Sequence, residues 1–299
     1  MPERIGVVIL HWYTEDATTA CLRSVVSNGT PEVSLYVVDN GSHSGSRDRM
    51  EKEFPAAIFL GDGVNHGFAA GANIGAQRAL ADGCTHVFLL NSDAVLVKGA
   101  IQILSNTPYW IVTPRILSER KHDELWFDGG IISLRGKGVH RDFGRSPDSV
   151  SGKPEREAMS FATACALLIR KEAFQRIGMF DECYFAYGED LDFSIRAGRA
   201  QISIGIDRSA VAFHGESQSV RANVGKDFRD YYVIRNSLLV LKKHFRDDQY
   251  VRRVVLLLSI DFLFPLVVFL LTFRLKRVRA LIAGLQDGCA GRSGRCSRW

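Results

Sequence analysis

Short apolar runs rich in β-branched residues alternate with amphipathic segments through the first third of the chain. Strands separated by helices pair in parallel through right-handed crossovers, so this alternation predicts an α/β sheet. The predicted elements are a strand over 4–13, a helix over 14–28, strands over 33–42 and 57–62, a helix over 72–81 and a strand over 85–94.

The pattern is weaker in the middle of the chain. After a strand over 110–117, residues 125–145 are predicted to form extended hairpin material, followed by a mobile loop over 146–154. Apolar segments then resume around an acidic cluster at 189–192, and a helical pattern covers 228–245.

The most apolar segment is 254–273, in which Asp261 is the only charged residue. A helix of this length would reach about 30 Å, enough to cross the hydrocarbon core of a bilayer. Pro265 interrupts its middle and basic residues flank both ends, so the positive-inside rule selects no orientation. We favour two short helices that dip into or lie on the cytoplasmic leaflet; a true span and a buried core helix are the alternatives.

Charge is unevenly distributed along the chain. Residues 251–299 contain nine Lys or Arg and two Asp, whereas the net charge of the whole chain is only +5. Basic residues next to an apolar segment indicate an anionic membrane surface as a partner. The rest of the chain lacks the basic stripe interleaved with aromatic residues that is typical of nucleic-acid binding, so no nucleic-acid partner is predicted.

Composition and short motifs exclude several classes of protein. With 46% hydrophobic and 24% charged residues, the chain is neither disordered nor fibrous. Six cysteines without a C-x-x-C pair predict reduced thiols in a cytosol rather than a zinc or redox site, and the start of the chain has no secretory signal pattern. No G-x-G-x-x-G or P-loop motif is present. A run of glycines spaced by four instead indicates close approach of a ligand or packing of a helix on the sheet: Gly63, Gly67, Gly71 and Gly75.

Two predicted strands end in polar residues. Asp39 closes the second strand in the sequence DNGS, and Asp93 follows the fourth in the sequence NSD. Ligands of open α/β sheets bind beyond the carboxyl ends of the strands. Asp93 therefore suits a divalent cation that binds a diphosphate, and Asp39 suits hydrogen bonds from a ribose or a base. Turn formation is the alternative for each, and for Asp39 both roles are compatible.

The acidic cluster contains Glu189, Asp190 and Asp192 at the beginning of a predicted helix. One interpretation is stabilisation of the helix dipole. The other is that Asp190 or Glu189 is a general base whose pKa is raised by neighbouring like charge. His214 ends an apolar strand, and an imidazole there is either a core residue or a second metal or diphosphate ligand near Asp93.

The order of the motifs is more specific than any one of them. They extend from about Arg4 to Asn236 and read VVILHWY, VVDNGS, NHGFAAGANIGA, LLNSDA, FDGG, FATACALLIRKEAFQRIGMFDECYFAYGEDLDFSIR, AFHGES and YYVIRN. In this order the chain resembles family 2 glycosyltransferases, especially their bacterial rhamnosyltransferase-like branch. The resemblance implies an α/β fold of the GT-A type, with a mostly parallel nucleotide-binding sheet flanked by helices and a C-terminal hydrophobic, membrane-associated helical segment.

The resemblance also implies roles for the site residues. Asp190 is then the catalytic base with Glu189 beside it, and Asp93 and His214 bind Mg²⁺ or Mn²⁺. The chain departs from the family's D-x-D motif, which reads Asn91-Ser92-Asp93 and keeps a single carboxylate. The residues implied to bind the nucleotide sugar are Asp39, Asn40, Gly67, Asn73, Asn91 and Asp93.

The implied activity is inverting transfer of a sugar, with rhamnose favoured, from a dTDP- or UDP-sugar. The implied acceptor is a polysaccharide or a polyprenyl-diphosphate-linked saccharide at the cytoplasmic face of a bacterial inner membrane. The catalytic domain is then 1–225, a connecting helix 226–250 and a membrane-associating region 251–299. One alternative is a catalytically weak or inactive assembly partner, suggested by the missing carboxylate. The other is a sugar nucleotidyltransferase, which would need a Gly-rich basic loop where HWYTEDATTA is acidic.

Overall fold

The computed structural model describes residues 3–28, 33–42, 45–215, 225–245 and 247–298; the last two residues of the AFHGES motif lie outside them. The strands are β1 (Ile5–His11), β2 (Val33–Asp39), β3 (Ile58–Leu60), β4 (His86–Asn91), β5 (Ala94–Leu96), β6 (Ile111–Ser118), β7 (Leu125–Phe127), β8 (Gly130–Ile132), β9 (Gly138–His140), β10 (Arg156–Ala158), β11 (Ala166–Arg170) and β12 (Ile204–His214). The helices are α1 (Glu15–Asn28), α2 (Ser46–Glu53), α3 (Gly67–Ala81), α4 (Ala100–Ser105), α5 (Lys171–Ile177), α6 (Glu189–Arg199), α7 (Lys226–His244), α8 (Asp247–Leu257), α9 (Phe264–Leu271) and α10 (Leu275–Cys289).

One large sheet organises the described residues, in the order β10-β12-β6-β11-β4-β1-β2-β3, with β5 beside β12 and β7 beside β6. β1 to β4 run parallel, as the alternating pattern predicts. β11 enters between β4 and β6 and runs antiparallel to both. The carboxyl ends of β1, β2 and β4 therefore lie at the same edge of the sheet as the amino end of β11.

Helices cover both faces of the sheet. On one face, α1 and α4 bury apolar side chains such as Leu22 and Ile101 against the strands. On the other face, the alanines of α3 and Phe193 of α6 form a second cluster. β1 and β4 are buried on both sides, which is why they are continuous apolar runs rather than alternating ones.

The glycine run is explained by helix packing. α3 begins at Gly67, five residues before the predicted start, and lies directly on β1 and β2. A Cβ added to Gly71 would lie 2.8 Å from Leu10 Cδ2, and one added to Gly75 would lie 2.2 Å from Val8 Cγ1. These two glycines allow the helix to approach β1 more closely than any larger residue would.

The segment between β6 and β11 contains the predicted hairpin. β8 and β9 pair antiparallel, and β7 joins the main sheet beside β6. The predicted mobile loop over 146–154 contains a 3₁₀ turn, Pro147–Val150, and Lys153 Nζ lies 3.2 Å from Asp128 Oδ2. These contacts attach the segment to the end of β7.

The C-terminal region has two parts with different surroundings. α10 packs along α7, where the Tyr231 hydroxyl donates to Asp287 at 2.7 Å.

α8 and α9 were predicted as separate short helices, but a π-helical turn, Leu258–Leu263, joins them into one rod. The wider turn accommodates Pro265, which lacks an N–H and crowds the carbonyl of Asp261. Within the described residues one helix, Gln249–Leu271, has the length and apolarity to cross a membrane, and most of its side chains are at least partly exposed.

Gly75→Ala should lower the free energy of unfolding by about 1–3 kcal/mol, because the added methyl group overpacks against Val8 and Val38. Gly198→Ala in α6 is the matched control, since nothing lies within 4 Å of its added Cβ. The control should leave stability unchanged or raise it by up to about 1 kcal/mol. Urea denaturation of both variants in the same detergent measures the difference, and equal stability of the two would contradict this packing.

Candidate active site

Three of the predicted site residues, Asp39, Asn91 and Asp93, lie at the carboxyl ends of β2 and β4, on either side of β1. His11 is in register with Asp39 at the end of β2, and Leu10 is in register with Asn91 at the end of β4. β2 and β4 flank β1, so Asp39 and Asn91 lie two strand spacings apart, roughly 10 Å. Asp93 follows in the turn after β4. The fold therefore brings Asp39, Asn91 and Asp93 to one edge of the sheet.

Asp39 shapes the loop after β2. Its Oδ1 accepts the backbone N–H of Ser42 at 2.8 Å, which closes the Asx turn that the sequence DNGS allows. The Ser42 hydroxyl in turn accepts the backbone N–H of Tyr13 at 2.8 Å. These bonds tie the loops after β1 and β2 together, while a nucleoside contact of Asp39 stays a prediction.

Asn40 and Gly67 hold the wall of the site between β2 and α3. Asn40 accepts the backbone N–H of His66 at 3.0 Å and donates to the carbonyl of Gly67 at 3.2 Å. Gly67 has φ 84°, and a Cβ there would lie 2.3 Å from the carbonyl oxygen of Phe185. No other residue fits this position, because the loop before α6 touches the helix backbone.

Asn73 also connects α3 to the loop before α6. Its amide nitrogen donates to the carbonyl of Phe180 at 2.9 Å and to Glu182 Oε1 at 2.8 Å, and its oxygen accepts the Phe180 N–H at 3.1 Å. These bonds occupy both ends of the amide. A contact of Asn73 with a nucleotide sugar stays a prediction.

Asp93 and His214 form a buried pair. β12 ends beside β5, where His214 is in register with Ala94, and Asp93 Oδ1 lies 3.2 Å from His214 Nε2. Burial opposes protonation of His214, but contacts with Cys165 and Asp93 outweigh burial and raise its pKa to about 10. We assign this effect to Asp93, because burial keeps the Cys165 thiol neutral by raising its own pKa. Asp93 therefore favours a positive charge next to it, here the protonated form of His214.

Cys165 joins this pair to the acidic cluster. Its thiol contacts the His214 side chain, and the charges of both Asp93 and Asp190 act on it. The backbone N–H of Ala164, one residue earlier, donates to the Asp190 carboxylate. Asp190 and the Asp93–His214 pair, distant in sequence, therefore contact neighbouring residues directly before β11, Ala164 and Cys165.

Glu189 and Asp190 occupy an environment that disfavours two negative charges. Burial raises the pKa of Asp190 to about 6, although backbone N–H donors favour its ionised form. Burial raises the pKa of Glu189 well above its usual range, and the charge of Asp190 adds to this shift. Glu189 Oε2 has no hydrogen-bond partner among the described residues. Burial therefore disfavours the ionised form of both carboxyl groups, and the charge of Asp190 adds a second penalty for ionising Glu189.

Asp192, the third carboxylate of the cluster, has a structural role. It lies 2.7 Å from Arg196 Nε, 2.6 Å from Lys243 Nζ and 2.6 Å from His244 Nε2. Burial opposes its ionisation, but these three partners outweigh burial and hold its pKa well below the usual range. The first turn of α6 thus contains one carboxylate whose charge is compensated by nearby cations, Asp192, and two whose charge is disfavoured by burial, Glu189 and Asp190.

α7 positions the beginning of α6. Asn236 Nδ2 donates to the carbonyl oxygens of Ala186 and Tyr187 at 2.8 and 2.5 Å. Tyr187 and Gly188 have φ values of 64° and 101°, and the first of these is unfavourable for a residue with a side chain. Asn236 therefore holds a strained turn directly before Glu189, a role that the sequence pattern of a connecting helix did not reveal.

Trp126, in β7, is a second site residue that the sequence reading missed. Its ring centroid lies 4.3 Å from that of His214 in an edge arrangement, and its carbonyl accepts a hydrogen bond from His140 Nδ1 at 3.0 Å. The ring is half-buried. Its position directly before the FDGG motif is the sequence feature that could have identified it as a site residue.

The donor set fits a divalent cation that is shared with a phosphate. No group of three His, Cys, Asp or Glu residues that could hold a metal ion occurs in the part of the chain that the structure describes. Asp93 supplies one carboxylate, and neither ring nitrogen of His214 has a well-aligned hydrogen bond within the described ranges. Mg²⁺ typically takes one or two protein carboxylates together with phosphate oxygens, so one oxygen and one nitrogen ligand suffice only with a diphosphate present.

Two solved structures share this fold. GalNAc-T7, solved with UDP, GalNAc and Mn²⁺, has a TM-score of 0.59 at 13% identity, over 83% of this chain and 49% of its own. TarS of S. aureus has a TM-score of 0.53 at 14% identity, over 82% of this chain and 41% of its own. These similarities confirm the predicted GT-A fold.

Sequence comparison shows relatives that act in glycan synthesis. The low-salt glycan biosynthesis hexosyltransferase Agl10 of Haloferax volcanii is 24% identical over this whole chain and 95% of its own length. The N-acetylglucosaminyl-diphospho-decaprenol L-rhamnosyltransferase of Mycobacterium tuberculosis is 27% identical over 61% of this chain and 66% of its own. The profile described as Glycosyl transferase family 2 matches residues 7–178, which is more than half of the chain and includes Asp39 and Asp93. The chain therefore belongs to glycosyl transferase family 2, as its motifs predicted.

Proposed function

We propose that this glycosyltransferase inverts the anomeric carbon of the sugar that it transfers from a nucleoside-diphosphate sugar to an acceptor hydroxyl. The observation that carries the proposal is the position of Asp190. This carboxylate, in the first turn of α6, accepts a hydrogen bond from the backbone N–H of Ala164, next to Cys165, whose thiol contacts His214. Burial raises the pKa of Asp190 to about 6. A group with that pKa is ionised at neutral pH and still basic enough to remove a proton.

Asp190 would accept the proton of the acceptor hydroxyl as its oxygen attacks the anomeric carbon. The new carbon–oxygen bond forms on one face of the sugar while the bond to the diphosphate breaks on the other, and the nucleoside diphosphate leaves. Burial and the charge of Asp190 favour the neutral form of Glu189, which limits the negative charge beside the base. Asn236 holds the turn that fixes the direction of both side chains.

Asp93 and His214 would hold Mg²⁺ or Mn²⁺, whose charge would offset the negative charge of the departing diphosphate. Without a bound cation, protonated His214 supplies the positive charge next to Asp93. Asp39, about two strand spacings away, would hydrogen-bond the nucleoside. Support for this arrangement comes from the alignment of the β1, β2 and β4 ends.

The proposed donor is a dTDP- or UDP-sugar, with rhamnose as the favoured sugar. The proposed acceptor is a polysaccharide precursor or a polyprenyl-diphosphate-linked saccharide. The name of the mycobacterial relative, an L-rhamnosyltransferase of a decaprenol-linked saccharide, supports both assignments. The GalNAc-T7 structure contains UDP, which supports a uridine donor equally well.

The proposed site of action is the cytoplasmic face of a bacterial inner membrane. The exposed apolar rod formed by α8 and α9 supports membrane association. Basic residues on both sides of the rod would contact anionic headgroups. A lipid-linked acceptor would then be supplied in the plane of the same membrane.

Asp190→Asn should lower turnover by about 10²- to 10⁴-fold, because the reaction loses its base, and should leave the donor dissociation constant within about twofold. Asp123→Asn, an exposed carboxylate before β7, is the control and should retain full activity. Product analysis of the full chain should detect a released nucleoside diphosphate. Release of pyrophosphate would indicate nucleotidyl transfer, and near-normal turnover of Asp190→Asn would remove the assignment of the base.

Asp190→Asn should also stabilise the protein at alkaline pH. Because folding raises the pKa of Asp190 from 3.8 to about 6, ionisation destabilises the folded state progressively across that range. The variant should therefore match the original chain near pH 4 and exceed its free energy of unfolding by about 2 kcal/mol at pH 8. Asp192→Asn, in the same turn of α6, should instead lower the free energy of unfolding by about 3–5 kcal/mol at pH 8, because it breaks a buried ion pair. Denaturation curves at both pH values measure this, and equal signs for the two variants would contradict the electrostatic assignment.

A further inference from the structure

The rod formed by α8, the π-helical turn and α9 presents an apolar strip to its surroundings. Large apolar residues with exposed side chains recur along it, several of them four residues apart. Their side chains are half to three-quarters exposed, which is unusual for a contiguous apolar surface and marks an interaction site. The residues of the strip, with their exposed fractions, are Val251 (62%), Val255 (56%), Leu263 (51%), Val267 (53%) and Leu271 (74%).

Asp261 interrupts the rod in the middle, and it faces the catalytic domain. Its carboxylate lies 2.8 Å from Arg135 Nη1 and 2.9 Å from Lys137 Nζ, both on the turn between β8 and β9. Arg253, eight residues earlier, donates to the carbonyl oxygens of Ser133 and Leu134 on that turn at 3.1 and 2.7 Å. The rod is therefore attached to the β8–β9 hairpin at two points.

These attachments are incompatible with a helix that crosses the bilayer. A crossing helix would place Asp261 near the middle of the hydrocarbon. If the attachments held, Arg135, Lys137 and the polar backbone of the hairpin would enter the hydrocarbon too; if they broke, Asp261 would be there alone. Both arrangements are energetically costly. A helix that lies in the interface keeps Asp261 on the protein side and turns the apolar strip toward lipid.

Charged and apolar groups around the rod match a lipid surface. Arg252, Arg274, Lys276 and Arg279 are all exposed at the two ends of the strip, which complements anionic headgroups. Leu134, at the tip of the hairpin bound by Arg253, is 67% exposed and adds an apolar side chain beside α8.

We propose that α8 and α9 lie in the plane of an anionic phospholipid surface, with Asp261 latched to Arg135 and Lys137 on the catalytic side. This inference rests on the proposed membrane association and adds its geometry. The latched hairpin also reaches the active site, because His140 of β9 packs on Trp126, with 4.6 Å between ring centroids, and Trp126 covers His214. The surface that contacts lipid is thus connected to the catalytic site through one hairpin.

Vesicle flotation of the full chain tests the surface. The protein should float with vesicles of phosphatidylcholine and phosphatidylglycerol and bind about tenfold less to phosphatidylcholine alone. Leu263→Glu and Val267→Glu should each lower binding by about tenfold or more, whereas Val26→Glu, a 56% exposed position on α1, should bind like the original chain. Failure of the original chain to float would overturn membrane association itself. A solution dimer that Leu263→Glu dissociates would identify a second copy as the occupant and overturn the proposal.

Side-specific proteolysis tests the orientation. When the protein is added to preformed vesicles, trypsin outside them should cleave both near Arg252 and near Lys276, because the two ends of an in-plane rod lie on one side. Protection of one end that is lost when detergent opens the vesicles would show a crossing helix and overturn the in-plane proposal, while membrane association would stand. Asp261→Leu should lower the thermal midpoint, because it leaves Arg135 and Lys137 unpaired; a raised midpoint would place Asp261 in the hydrocarbon and contradict the latch.

Discussion

The insertion of β11 between β4 and β6, antiparallel to both, is the constraint on which the candidate site depends. It brings the amino end of β11 to the edge where the parallel strands finish, and the carbonyl of Cys165 accepts the backbone N–H of Asn91 there at 2.8 Å. The adjacent N–H of Ala164 then reaches Asp190 at the start of α6. One strand end thus connects the residues after β4, the imidazole of His214 and the proposed base, although the chain supplies them from widely separated segments.

The electrostatics of the site follow from which carboxylates have cationic partners. Asp192 is neutralised by cations of α6 and α7 and holds the two helices together. Glu189 is buried and Asp190 is partly buried, with backbone donors at most, so folding disfavours their ionised forms. A protein optimised for stability alone would not retain such a pair. Destabilised charge at a strand-end cleft is instead typical of a group kept reactive for catalysis.

Local features of the sequence predicted the α/β class, the parallel strands and the strand-end carboxylates Asp39 and Asp93, because strand runs and turn residues encode them directly. The start of α3 at Gly67 could not be read locally, since it depends on contact with the distant loop before α6. The roles of Cys165 and Asn236 were equally hidden, because each arises from pairing across many residues. The structural role of Asp192 was hidden as well, because Lys243 and His244, which pair with it, lie about fifty residues further along.

The central claim is that Asp190, Asp93 and Asp39 face one nucleotide-sugar site. The most direct measurement is an experimental structure of the full chain with Mn²⁺, a nucleoside diphosphate and an acceptor saccharide. We expect the diphosphate beside Asp93 and His214, the nucleoside toward Asp39, and an acceptor hydroxyl within hydrogen-bond distance of Asp190. A nucleotide bound elsewhere, or Asp190 turned away from the acceptor into an ion pair, would contradict the account.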